Sequence, residues 1–440
     1  MKLRFKKGLD LKLVGGITSD NLIKFEPDEC AIVPDDFNGF IPKLMVREGD
    51  PVLVGSPLLH DKISENLCLV SPVSGTVKSI IRGERRKILR VVITNDHRYE
   101  AVNFDTSIPV LDLLALSGLL AMMRRRPYDV VVRTAVRPAD IFVTALDTAP
   151  LAYPLVAQLP EDASEAIRSA VKALSGLTSG KVNVSVGDDW TLGDIPGAEM
   201  HTVSGPHPAG NVGVQVSAIA PAGPGREVWT LDIITLYNIG KLILSGQVNP
   251  WTIVAVTGPE VSSPGLVRTN PGASIAGIIK GRVGADRHLR VISGNVLTGT
   301  AVGADDAFLH FPYRQITVID EGDDVDEFMG WASMKPSKLS VSAALPFSRF
   351  TRMFSPDARL NGGRRAMIMS GEYDRVLPMD IMPEFLLKAI IGRNIEEMEA
   401  LGIYEIAPED MALCEFVDTS KLPIQQIVRD GLDYLRGENE

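Results

Sequence analysis

Two apolar runs of strand length, Asp129–Val132 and Ile141–Ala145, are rich in β-branched residues, and each is entered from a polar or proline-bearing segment. An alanine-rich helical pattern follows at Ser164–Leu174, then another strand-like run at Lys181–Val186. Strand, helix, strand in that order reads as a βαβ unit on a parallel sheet, a common platform for nucleotides. The loops that would hold a phosphate are not glycine-rich. Arg124, Arg125, Arg126, Pro127 and Tyr128 stand where small residues would be needed. The platform is legible and its usual cargo is not.

Upstream, residues 1–104 carry two half-repeats, VREGDPVLVGSPLL from Val46 and VSPVSGTVKSI from Val70. Short apolar–polar alternations broken by Gly49, Gly55 and Gly75 suit strands joined by tight turns. The pattern is similar to the barrel-sandwich of biotinyl and lipoyl carriers, in which a Lys at a hairpin tip takes the cofactor. Lys62 lies near that place, but His60-Asp61 and Ile63 flank it in place of methionines, so an exposed, unmodified lysine is expected. Phe37 and Phe40, around Asn38-Gly39, either pack onto their own domain or offer a wall to a flat apolar ligand.

Residues 105–250 form the expected α/β domain, with a Pro/Gly-rich loop at Val203–Gly213 and a helical pattern at Leu231–Gly246. His207 between two prolines has His201 as its one neighbour of ligand type, which is too few for a metal site. Gly176-x-x-x-Gly180-Lys181 is one residue short of a phosphate loop and lacks the following Ser/Thr. Over 251–325, short strands (Trp251–Thr257, Gly265–Asn270, Leu289–Ser293) alternate with the helix-sized stretch Ala273–Ile279, suggesting a small mixed sheet gripping one helix. The acidic run Asp320–Glu327 reads as a solvated boundary. Residues 326–440 end in helical segments at Pro383–Ile391, Asn394–Leu401, Pro408–Val417 and Leu422–Arg436.

The chain has 440 residues, a net charge of −10 and a mean hydropathy of +0.11. This describes a globular protein with a large core and no basic face for nucleic acid. Three cysteines, Cys30, Cys68 and Cys414, lie far apart, as in a protein of a reducing compartment. Met1–Gly8 lacks the apolar core of a secretory signal, and Leu231–Leu244 is too short and too charged to span a bilayer. A cytoplasmic location is therefore expected, with any membrane contact made through partners.

No G-x-G-x-x-G, Walker, G-x-S-x-G or H-E-x-x-H motif is present. However, KKGLDLKLVGG, SPVSGTV, RRKILRVVI, IFVTALDTAPLA, SGPHPAG, IGKLILSG, VAVTGPEV, LVRTNPGASI, RVISGNVLTGT, YDRVLPMDIMP and EDMALCEF, collinear over nearly the whole chain, resemble the A-subunit family of the sodium-translocating NADH:quinone oxidoreductase (Na+-NQR). That family is related to the C subunit of the Rnf complex and to the flavin-carrying subunit of complex I. The resemblance implies four modules: a barrel-sandwich hybrid (1–104), a Rossmann-like α/β domain (105–250), a β-grasp, SLBB-like domain (251–325) and a helical C-terminal domain (326–440). It also implies a peripheral subunit on the cytoplasmic side of the bacterial inner membrane. Such a protein works with five others, B to F, in reducing ubiquinone to ubiquinol while Na+ is exported.

In the flavin-carrying relatives, SGL leads into a glycine-rich loop that closes on FMN phosphate. Here Ser117-Gly118-Leu119 leads into Leu120-Ala-Met-Met-Arg-Arg-Arg-Pro-Tyr128, and Cys414 stands alone where those relatives bind an iron–sulfur cluster. No FMN, no Fe–S cluster and no covalent cofactor is expected, which leaves ubiquinone as the ligand. The family places quinone near the segments matching Val33–Phe40 and Arg126–Val130. The candidate contacts are therefore Phe37, Gly39, Phe40, Arg126, Pro127 and Tyr128, with aromatic walls and Arg126 or Tyr128 as donors. Alternatively, Arg124–Arg126 form a solvated basic face meeting acidic neighbours or lipid headgroups. The competing functions are a non-catalytic docking role in the same complex and flavin-dependent oxidation of NADH.

Overall fold

A βαβ unit needs strands buried on both faces and a crossover helix with one apolar stripe. The computed structural model has both; it describes residues 1–19, 21–133, 137–284, 287–303, 307–323, 353–360 and 362–439. Strands Asp140–Thr144 and Val182–Val186 are buried throughout and pair in parallel. Helix Ala163–Ser175 connects them, burying Ala163, Ala166, Ile167, Ala170, Val171 and Leu174 at the spacing of one helical face.

The full sheet has seven strands, in the order Lys2–Arg4, Ala198–Ser204, Val182–Val186, Asp140–Thr144, Val228–Asp232, Arg124–Arg126 and Val130–Val131. The first five run parallel, whereas Arg124–Arg126 is antiparallel to Val228–Asp232. The three arginines thus form a strand and not a loop or a solvated face. Arg126 is buried, Arg125 pairs with Glu227 at 3.4 Å, and Arg124 Nη2 donates to the Asp36 carbonyl at 2.7 Å. Sequence patterning could not anticipate this, because the partner of each arginine is remote along the chain.

Helix Ile233–Ser245 packs against the crossover helix; Asp232 caps it by accepting from Thr235 N at 2.7 Å, and Gly246 ends it at φ +71°. A Cβ on Gly240 would stand 1.8 Å from the Ala166 carbonyl oxygen, so the absence of a side chain sets how closely the two helices approach.

The N-terminal barrel-sandwich consists of two small sheets. One has strands Glu29–Ile32, Ile88–Asn95, Gly75–Arg82 and Pro51–Val52; the other has Pro42–Leu44, Pro57–Asp61 and Cys68–Val70. They share a core that includes Leu58, Leu59, Leu67, Val77 and Ile93. Lys62 is exposed just after a strand end. A six-stranded sheet runs Thr300–Val302, Leu289–Ser293, Gln315–Asp320, Thr252–Thr257, Gly265–Thr269, Leu22–Lys24, with helix Ile275–Ile279 packed in its core. The two N-terminal strands thus leave their sequence neighbours to edge distant sheets.

The acidic run differs from the expectation over its described part. Asp320 pairs with Arg287, Glu321 with Arg290 and Asp323 with His288 at 2.7 Å, so these residues line a cationic sheet edge in place of a free linker. Residues 324–327 lie outside the described residues. The helical end comprises Pro383–Ile391, Ile395–Ala400, Ala412–Val417 and Ile424–Asn439 around Leu386, Leu387, Met398, Ile403, Val428 and Leu432. Asn394 caps the second of these helices by accepting from Glu397 N at 3.3 Å.

The glycine contact generates a prediction. Gly240→Ala should destabilise the fold by about 1–3 kcal/mol through overpacking. Gly437→Ala, which meets nothing within 4 Å, should be neutral or slightly stabilising. Urea unfolding midpoints of the two variants check this.

Candidate functional site

In a parallel sheet, a crevice opens at the carboxyl ends of the strands where successive connections leave in opposite directions. Here Asp140–Thr144 has Val182–Val186 on one side and Val228–Asp232 on the other. Thr144 and Asp232, at those strand ends, line a cavity of about 480 Å³. Leu146 and Asp147 continue one wall, and Gly210–Val212 at the start of helix Val212–Ile219 form another. Met122, Arg124 and Asp129 come from the antiparallel edge, Phe311–Gln315 from the approach to strand Gln315–Asp320 of the six-stranded sheet, and Glu409 from the helical end.

Most of the charge on these walls is paired. Asp232 holds Arg314 at 2.5 Å, Asp129 meets Arg429 at 3.3 Å, and Asp36 meets His310 Nδ1 at 2.7 Å. Burial works against ionisation of Asp129, but the guanidiniums of Arg429, Arg124 and Arg126 outweigh it and hold the carboxyl below its usual range. Two carboxyls behave oppositely. Asp147 is open on the cavity side, yet desolvation by the protein around the cavity raises it even though Ala149 N donates to it at 2.9 Å. Glu409 has 47% of its side chain open, but it opens into the cavity and so stays surrounded by protein. Desolvation, reinforced by Asp410 and Asp129, pushes its carboxyl up to about 7.

Arg126 explains the neighbourhood of Glu409. Its side chain is 2% exposed, and Nη1 donates to Asp410 Oδ2 at 3.1 Å, leaving Glu409 as a second, more distant carboxylate at 3.4 Å. Asp410, itself 0% exposed, also accepts from Ala407 N at 3.0 Å.

His207 lies on the Pro/Gly-rich loop, 3% exposed. Thr148 Oγ1 accepts from Gly210 N at 2.9 Å and lies 3.2 Å from His207 Nδ1. Burial lowers this imidazole to about 4. His201 sits on a different element, with Nε2 3.0 Å from Asn183 Oδ1. Among the described residues, no group of three or more His, Cys, Asp or Glu is arranged to hold a metal ion.

A narrower apolar cleft of about 90 Å³ adjoins the cavity and shares Asp36, Met122 and Phe311–Arg314 with it. Phe37 stacks on Phe311 there, with centroids 4.8 Å apart and planes 6° apart, and the Arg124 guanidinium lies 5.4 Å from the Phe311 ring. Of the candidate contacts, Phe37 lines this cleft. Gly39, Phe40, Arg126, Pro127 and Tyr128 line neither space. Phe40 belongs to the N-terminal core, which Phe37 also joins from its edge on the cleft, and the Gly39 carbonyl accepts from Arg133 Nη2 at 2.5 Å. Tyr128 stands edge-on to Tyr404, with centroids 6.0 Å apart. The two expected segments reach the cavity through Asp35, Asp36 and Asp129 instead. Phe311 and Glu409 were not anticipated; an aromatic before a proline and a glutamate before an aspartate carry no spacing signal.

The stretch after Ser117-Gly118 does not fit a flavin phosphate. Leu119, Leu120, Ala121 and Met123 are buried in the core, and the amides of Met122 and Met123 donate to Leu119 O and Leu120 O at 3.2 and 3.1 Å. The Met122 and Met123 amides are thereby turned inward and not free to close on a phosphate.

Comparison with known proteins gives matches along the chain. The family described as NqrA N-terminal barrel-sandwich hybrid domain matches residues 3–96, the NqrA second alpha/beta domain matches 106–248, and the NQRA C-terminal domain matches 253–304. The chain is 35% identical to the A-subunit of the Na(+)-translocating NADH-quinone reductase of Neisseria meningitidis, over 99% of its own length and 100% of that protein. It is 34% identical to the corresponding protein of Rhodopirellula baltica, over 99% and 98%, and 34% identical to that of Serratia proteamaculans, over 99% and 100%.

Two outcomes follow from the buried groups. Asp410→Asn should cost about 3–5 kcal/mol, because it strips the charge from a buried guanidinium's partner, and a denaturant titration at pH 7 reads it. The unfolded chain binds a proton on His207 at a higher pH than the folded chain does. Its contribution to stability is therefore full above the ordinary histidine range and lost as pH falls from about 6.5 towards about 4. His207→Gln should flatten that acid limb in unfolding curves collected across this range.

Proposed function

Because the chain belongs to the A-subunit family (NqrA) of the Na(+)-translocating NADH-quinone reductase, we propose that it is the peripheral A-subunit of such a complex. In this reading it contributes to the reduction of ubiquinone to ubiquinol coupled to Na+ export from the cytoplasm. Identity along the whole chain carries the reading. No helix among the described residues is long and apolar enough to cross a membrane, which agrees with a peripheral place. The other subunits, B to F, are then its partners on the cytoplasmic side of the inner membrane, and the isolated chain is not expected to turn over. In the same reading, residues 105–250 are Rossmann-like and the six-stranded sheet with its helix is a β-grasp of the SLBB kind.

The quinone contact in this reading is centred on Phe37. A quinone head is flat and neutral with two carbonyl acceptors, so it favours an aromatic wall beside a donor. The Phe37–Phe311 stack with Arg124 above Phe311 provides both at the junction of cleft and cavity. Arg126 is held by Asp410 and Phe40 is held in the core, so these two support the contact by fixing its frame. The same burial favours a second reading, a docking protein whose quinone site lies mainly in a membrane partner.

Titration of a short-chain ubiquinone into the isolated chain, followed by quenching of Trp251 in the cleft, separates these readings. Saturable quenching that Phe37→Ala weakens on the order of tenfold supports quinone contact. Quenching that never saturates supports the docking role. Phe40→Ala should instead cost about 3–5 kcal/mol of stability with unchanged affinity in the folded fraction.

A further inference from the structure

Reduction of a quinone places negative charge on its carbonyl oxygens, and that charge needs a proton close by. The switch-point cavity is a poor place for an unprotonated product. Its walls carry Asp35, Asp36, Asp129, Asp147, Asp232 and Glu409 against the guanidiniums of Arg124 and Arg314. Of these carboxyls, Glu409 is distinguished by position. It stands where the helical end meets strand Arg124–Arg126 and Asp129, within electrostatic reach of Tyr313, which lines both the cavity and the apolar cleft, and its side chain opens into the cavity. Asp410, the residue after it, takes the cation. The 3.1 Å Arg126–Asp410 pair is buried on both sides, so Glu409 is left facing the cavity at 3.4 Å from the same guanidinium.

Building on the quinone reading above, we propose that Glu409 is the proton donor to the quinone head during its reduction. The two electrons come from NADH through the partner subunits. The O–H bond of the Glu409 carboxyl breaks as a new O–H bond forms on a quinone oxygen, and the second proton comes from solution. The carboxylate left behind is stabilised by Arg126 and Arg124, and it is reprotonated through the open cavity.

The groups facing Glu409 support this role. Asp410 on its own segment and Asp129 across the cavity disfavour its ionised form, Arg126 and Arg124 favour it, and the Tyr313 hydroxyl, raised to about 12 largely by burial, stays neutral. With its carboxyl up at about 7, Glu409 both holds and releases a proton near neutrality. Asp147 lines the same cavity next to the Thr148–His207 contact and within electrostatic reach of Arg314 and Asp232, so it is the competing donor that the test must exclude.

The test uses the assembled complex and measures NADH-driven reduction of a short-chain ubiquinone between pH 6 and 9. Wild type should lose rate above about pH 7. Glu409→Gln should lower the maximal rate on the order of 100-fold and abolish that pH limb, while the KM for quinone and NADH oxidation by an artificial acceptor stay unchanged. Glu409→Asp should restore a titrating limb. An unchanged rate and pH limb in Glu409→Gln would overturn the proposal. So would transfer of the loss to Asp147→Asn. If the isolated wild-type chain shows no saturable quinone binding, the underlying quinone reading fails instead, which the binding titration detects separately.

Discussion

A guanidinium with almost no exposed surface costs several kcal/mol to desolvate, so Arg126 can occupy its place only if a carboxylate comes to it. Asp410 meets that condition from the helical end of the chain, and the structure is arranged around the pair. Gly213, in the first turn of helix Val212–Ile219, has no side chain to intrude: a Cβ there would lie 2.2 Å from Asp410 Oδ2 and 2.5 Å from Arg126 Nη2. The antiparallel edge of the sheet, the helix beyond the Pro/Gly-rich loop and the C-terminal helices are thereby pinned to a common point. A neighbouring tie, Arg429 to Asp129 and to the Tyr128 carbonyl, reinforces it.

That tie determines what kind of space remains above the strands. Parallel strands whose connections diverge leave a crevice in any such sheet, but its lining depends on which elements are brought over it. Here three modules converge on it. The segment leading into the six-stranded sheet contributes Phe311, the barrel-sandwich contributes Asp36 and Phe37, and the helical end contributes Glu409. The outcome is a polar, acid-lined cavity joined to a small apolar cleft. The segment that would have opened into a phosphate cradle is instead packed into the core through Leu119, Leu120 and Met123.

The elements were legible wherever a residue's environment follows from its near neighbours. The crossover helix shows its apolar stripe at i, i+3 and i+4, and the central strands read as β-branched runs, Ile141–Val143 wholly apolar and Val182–Val186 alternating with buried Asn183 and Ser185, because both of their faces are covered. Helix ends were readable from Pro383, Asn394 and Gly246 for the same reason. Three-residue strands such as Lys2–Arg4 and Leu22–Lys24 are too short to show a period, and their partners lie about two hundred or more residues away. The arginine run misled because consecutive cations normally seek water, whereas each of these meets a different remote acceptor.

The order of hydrophobic and polar residues by itself determined the βαβ framework, the barrel-sandwich repeats, the terminal helices and, through collinear motifs, the family. Those are properties of local period and of residue identity, and both are written along the chain. Which aromatic faces which, which carboxylate claims the buried guanidinium and which is left open to the cavity were decided by the tertiary structure alone. Burial and pairing are set by distances in space, and Arg126 and Asp410 become neighbours through folding across 284 positions of chain.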